Sequence, residues 1–116
     1  LGLPYGVARA SSVAAMAALG DRAHAERTRA LVRSERERLT VALREAGCDV
    51  LASDANFVLA DLRTHDAHFV VSCERRGRVL PEGRFFERGR FRYVPVARPD
   101  DTDALLEALH ESRRFL

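Results

Sequence analysis

Residues 53–62, Ser-Asp-Ala-Asn-Phe-Val-Leu-Ala-Asp-Leu, place the tightest limit on the fold of this chain. Polar residues lead into an Asn-Phe step, a short apolar run follows, and the run meets charge at Asp61. Hydrophobicity that is continuous over so few residues predicts a strand inside a sheet, with the Asn56 amide at its mouth. Such a strand needs partners along its edges and a layer against its face, and the flanking sequence must supply both.

The flanks do so in a definite order. Residues 4–19 open with Pro4 and are rich in alanine, which suits a helix packed closely against another element. Gly20 ends it, and Asp21 can cap the next helix, over residues 21–46. There Leu31, Val32, Glu35, Leu39, Ala42, Leu43 and Ala46 form a mostly apolar stripe at helical spacing, and most arginines lie off it. The two helices form an αα-hairpin, and Gly47 is the stop signal.

Strands are expected at Asp49–Ala52 and Phe57–Leu62, followed by a helix from Thr64 or Asp66 to about Arg76 with Phe69, Val70 and Cys73 inward. Gly77 ends that helix. A brief strand at Arg78-Val79-Leu80, a turn at Pro81-Glu82-Gly83 and a loop over 83–90 come next. The last strand is Phe91–Val96, where Pro95 favours an edge or a bulge, and the last helix is Asp100–Arg114. The expected order is α-α-β-β-α-β-β-α. That is an α+β domain with a small mixed sheet packed by helices, occupying residues 1–116 as one unit.

Composition removes several classes of function. A chain of 116 residues, 47% hydrophobic and 31% charged, can bury a core and is not disordered. No apolar run approaches the ~20 residues that span a bilayer, so no membrane role is expected. The net charge is +2, and many arginines stand beside acids, as in Glu35-Arg36-Glu37-Arg38, which argues for salt-bridged helix faces over nucleic-acid binding. Cys48, Cys73 and the scattered His24, His65, His68 and His110 form no metal-ligand spacing. Two reduced thiols in a cytoplasmic protein are the expectation. All 19 basic residues are arginine, so there is no lysine in the chain.

Arg92 is the residue best suited to recognising a ligand. Strand alternation sets Phe91, Tyr93 and Pro95 on one side of Phe91–Val96, and Arg92 with Val94 on the other. An arginine among apolar neighbours is costly unless an anion meets it, and its planar fork matches a carboxylate in bidentate fashion. From the residues alone, that anion is either a ligand or an acid of the chain such as Glu82 or Glu87.

These segments, in this order, resemble the C-terminal small domain of fold-type I pyridoxal-phosphate-dependent aminotransferases, the histidinol-phosphate branch above all. Residues 53–59 are similar to that family's Ser-x-Ala-Asn-Phe-Val/Leu-Leu strand. Phe91-Arg92-Tyr93-Val94-Pro95-Val96, followed by Pro99-Asp100-Asp101, is similar to its arginine strand and the Pro-acid-acid helix start. Leu3-Pro4-Tyr5-Gly6-Val7 is similar to the Pro-Tyr segment that opens its small domain.

The resemblance implies that Arg92 binds the substrate α-carboxylate, with Asn56 and Tyr5 near the pocket. The bland alternatives are an Asn56 that satisfies backbone groups at the strand mouth and a Tyr5 that packs as a hydrophobic staple. Where the phosphate-binding branch has a Val-Arg-Asp-like step, this chain has Leu80-Pro81-Glu82, with Arg84 nearby.

The implied activity is amino-group transfer between an amino acid, or a histidinol-phosphate-like amine, and a 2-oxo acid. The parent enzyme would be a homodimer whose N-terminal domain holds pyridoxal phosphate and its Schiff-base lysine. Without a lysine this chain cannot form that Schiff base, and it is not expected to be catalytically competent alone. The alternative is a freestanding or truncated α+β interaction module without catalysis.

Overall fold

The structure is a computed structural model that describes residues 5–81 and 90–115. Its helices are α1 (Arg9–Leu19), α2 (Arg22–Glu45), α3 (Asp66–Arg75) and α4 (Pro99–Ser112). Its strands are β1 (Asp49–Val50), β2 (Phe57–Asp61) and β3 (Arg92–Pro95). Two compact units divide the chain, residues 1–30 and 31–116.

In the first unit α1 buries none of its residues, and Val13, Met16 and Leu19 are exposed. Asp21 caps α2 as its position predicts, its Oδ1 accepting the His24 N–H at 3.0 Å.

The second unit is a sheet of order β1-β2-β3 with helices on one face. β2 is central and both pairings are antiparallel. The expected mixed sheet is therefore corrected to an antiparallel one among the described residues. Pro95 closes β3 on the edge of that sheet, where its missing N–H leaves no ladder bond unmade.

The register sets Val58 opposite Val94 and Ala60 opposite Arg92. Period-two alternation then turns Val58, Ala60 and Val94 to one face, and all three are buried with Leu39 and Leu43 of α2, Phe69 and Cys73 of α3, and Leu105, Ala108 and Leu109 of α4. The stripe predicted for α2 holds in its C-terminal part, with Glu35, Leu39 and Leu43 buried, while Leu31 at its start is exposed. On the opposite face Phe57 and Tyr93 stack with ring centroids 4.5 Å apart.

Two glycines end helices in the same way. Gly47 (φ +86°) and Gly77 (φ +70°) adopt the left-handed conformation that glycine reaches without steric cost. Beyond them the N–H of Cys48 bonds the Leu43 carbonyl at 3.0 Å, and that of Arg78 bonds the Cys73 carbonyl at 2.8 Å. The second of these bonds diverts the backbone at the predicted strand Arg78–Leu80. That segment forms no strand, although Leu80 still reaches the core. The turn and loop expected over 82–89 lie outside the described residues.

Polar contacts fasten the helices to one another. Buried His65 donates from Nε2 to the Ala46 carbonyl at 3.1 Å, and its Nδ1 meets Ser112 Oγ at 3.1 Å, so it ties the ends of α2 and α4. Arg76 Nη1 bonds Glu111 at 2.8 Å across α3 and α4, and Ser72 Oγ also donates to Glu111. The Ser72 and Arg76 hydrogen bonds hold the Glu111 carboxyl below its usual value.

Leu43→Ala should destabilise the protein by about 2–5 kcal/mol, because it empties a fully buried site. Urea unfolding of that variant beside Val13→Ala checks it, since the exposed Val13 should matter by roughly 0.5 kcal/mol or less. The Glu111 pairing also has a pH signature. Its folded-state value is depressed, so its stabilisation is present above the usual glutamate value and is lost as pH falls through the folded one. Urea midpoints measured from about pH 5 to 3 should fall more steeply for the wild type than for Glu111→Gln.

Candidate functional site

The register that fills the core also places Arg92 at the rim of the helix-covered face. Paired with Ala60, it extends toward the start of α3, where it meets Asp66. Nε and Nη2 of Arg92 donate to the two Asp66 oxygens at 2.5 and 2.7 Å, a bidentate fork. Nη1 lies 3.4 Å from the Pro81 carbonyl oxygen. The Arg92 side chain is 17% exposed and that of Asp66 is 43% exposed.

Of the two anions that the sequence left open for this guanidinium, the described residues show an acid of the chain, and it is Asp66. Glu82 and Glu87 lie outside the described residues, as does Arg84. Asp66 is 26 residues from Arg92 in sequence, and its only signal there was that of a helix-starting acid.

Arg92 and Asp66 line an open cavity of about 290 Å³ together with Asp61, Arg63 and Arg90. Charges alternate around it. Arg63 donates to Asp49 at 2.7 Å, and Arg90 stands 3.6 Å from Asp61. Asp49 and Asp61 are directly opposed in the β1–β2 ladder, so the two arginines offset a like-charge pair. Arg63 manages this from a left-handed backbone (φ +50°), and its hydrogen bond lowers the Asp49 carboxyl below the usual range. Each of these arginines is matched by an acid, so the cavity wall combines fixed positive forks with little net charge.

Asn56 sits elsewhere. Its carbonyl accepts the Val96 N–H at 2.8 Å, which puts it beyond the Phe57–Pro95 pair, at the far end of the ladder from Arg92. Four residue steps along the strand separate the two ends, roughly 13 Å. The Asn56 side chain is exposed, with no hydrogen bond to the described residues. The side chain that organises the strand mouth is Ser53, which donates to the Phe57 carbonyl at 2.5 Å and accepts the Ala55 N–H at 3.1 Å. From α2, Arg36 adds a bond to the Ala55 carbonyl at 2.8 Å. Sequence reasoning missed both residues, although a serine two residues before a backbone turn is a recognised turn signal. Tyr5, in the first unit, is 100% exposed, so it does not pack as a staple.

The thiols are chemically quiet. Burial raises the Cys48 thiol, and it pushes that of Cys73 up to about 12. No cluster of His, Cys, Asp or Glu among the described residues could hold a metal ion. No helix among them is long and apolar enough to cross a membrane.

This fold matches part of the chains of solved aminotransferases. The solved histidinol-phosphate aminotransferase of Sinorhizobium meliloti, a complex with pyridoxal-5'-phosphate, superposes with a TM-score of 0.76 over 96% of this chain and 32% of its own, at 23% identity. Among curated proteins, histidinol-phosphate aminotransferase 1 of Bordetella parapertussis is 38% identical across 90% of this chain and 30% of its own length. Histidinol-phosphate aminotransferase 1 of Pseudomonas aeruginosa is 37% identical across 91% and 30%. No protein-family profile matches the chain. The resemblance read from the motifs is thereby shown: the chain is similar to part of a histidinol-phosphate aminotransferase, and it spans about 30% of the length of these relatives.

Ser53→Ala should cost about 1 kcal/mol by leaving the strand mouth without its hydrogen bonds. Asn56→Ala should stay within roughly 0.5 kcal/mol. Thermal unfolding, with amide exchange at Ala55 and Val96, separates the two.

Proposed function

We propose that this chain is the substrate-binding small domain of a pyridoxal-phosphate-dependent aminotransferase acting on an amino acid or a histidinol-phosphate-like amine. The opening αα-hairpin and the helix-covered sheet belong to that reading. The observation that carries it is Arg92, whose strand resembles the family's carboxylate-binding arginine strand and whose fork already grips a carboxylate with two donors.

In the parent enzyme Arg92 would clamp the substrate carboxylate and so fix which bond at the α-carbon faces the cofactor. That contribution is orientation and charge recognition, not proton transfer. Asn56 and Tyr5 would lie near the pocket only once other parts of the parent close on them. The cofactor, when bound, supplies the electron sink for amino transfer. This chain has no lysine to anchor it, so that residue would come from the N-terminal cofactor domain.

The apolar exposure of α1 supports a place within a larger assembly, such as a homodimeric parent. A freestanding module would leave Val13, Met16 and Leu19 in water without benefit.

In the full-length polypeptide, Arg92→Lys should raise KM for the amino-acid substrate by about tenfold or more, since a point charge replaces a bidentate fork. Steady-state kinetics test this. Unchanged KM and kcat for Arg92→Lys and Arg92→Ala would sink the assignment.

A further inference from the structure

Asp66 holds the very group that a ligand carboxylate would need. Its oxygens take Nε and Nη2 of Arg92 side by side, which is the geometry an incoming carboxylate would adopt. The two partners are not equally fixed. Arg92 stands on β3, locked by its pairing with Ala60 and mostly covered. Asp66 is the first residue of α3 and much more exposed, on the wall of the open cavity. The acid is therefore the member that can swing away.

We propose that Asp66 is an internal competitor for Arg92: it occupies the fork in the absence of ligand, and a small carboxylate or phosphate binds by displacing it. This rests on the reading of Arg92 given above. It adds a determinant of affinity that lies outside the arginine strand. A ligand that makes one contact cannot repay the loss of two, so Asp66 selects for anions with two oxygens able to reach the fork together.

Magnitudes decide the direction of the test. Removing the Asp66 charge abolishes its repulsion of an anion a few ångströms away, a factor on the order of a thousand at an effective dielectric near 20. Salt, and the freedom of an exposed acid to move, reduce that to roughly thirtyfold. Against it stands the loss of a partner that orients the guanidinium, worth about two- to tenfold. Repulsion wins, so a neutral residue at position 66 should tighten binding. A merely structural role would weaken it.

The test follows the Arg92 Nε–Hε resonance of the ¹⁵N-labelled chain during titration with 2-oxoglutarate and, separately, inorganic phosphate. Asp66→Asn and Asp66→Ser should each bind about fivefold more tightly than the wild type, Asp66→Glu should match it, and Arg92→Gln should abolish binding. Tighter binding of 2-oxoglutarate alone identifies the competitor as specific to carboxylates, and of both probes as general to anions. Equal or weaker binding in both neutral variants, with binding still dependent on Arg92, overturns the competitor and leaves the Arg92 assignment standing. No Arg92-dependent binding in any variant removes both.

Discussion

The register between β2 and β3 is the constraint on which the rest of the second unit depends. With Val58 opposite Val94 and Ala60 opposite Arg92, one face carries small and branched apolar side chains that three helices cover. Side chains alternate with a period of two, so a one-residue slip of β2 would turn Val58 and Ala60 outward and bury Phe57 and Leu59 instead, and a one-residue slip of β3 would exchange Val94 for Tyr93. The same slip would carry Arg92 to the other face, away from Asp66. Core and candidate site are thus specified by one set of backbone hydrogen bonds.

Around that ladder, charge does local work. Asp49 faces Asp61 across two antiparallel strands, an arrangement that needs the guanidinium groups of Arg63 and Arg90 to be tolerable. Between α3 and α4, Arg76 and Ser72 converge on Glu111. Arg38 pairs with Glu35 on its own helix and reaches Asp103 of α4. Exposed ion pairs of this kind contribute little individually, but here they fix where helices sit over the sheet. The placement of α3 matters most, because its first residue is the acid that meets Arg92.

An arginine-only complement of cations suits such an architecture. Guanidinium forks bind carboxylates directionally, and several of the ion pairs that join elements among the described residues use that property. It also draws a chemical boundary. Covalent amine chemistry on a cofactor is closed to a chain without lysine, whereas recognition of an anion by a fixed fork is open to it.

Local signals carried much of the fold. Continuous hydrophobicity marked β2, the apolar stripe marked the buried side of α2, and Gly47 and Gly77 marked helix ends, because each rests on short-range sterics or on a simple period. Arg92 was legible as a buried-strand cation in need of an anion. Sheet direction was not legible, since a short apolar strand reads alike in either sense. The strand expected at Arg78–Leu80 was lost because pairing needs a neighbour and the helix cap had already engaged its first N–H. Asn56 was read as a mouth residue, yet its backbone does that work while Ser53 supplies the side chain. By itself, then, the sequence determined most of the elements, the glycine-marked helix ends and the residue with a demand for an anion. Only the tertiary structure decided which acid met it, because 26 residues of chain separate Arg92 from Asp66 and packing alone brings them within 2.5 Å.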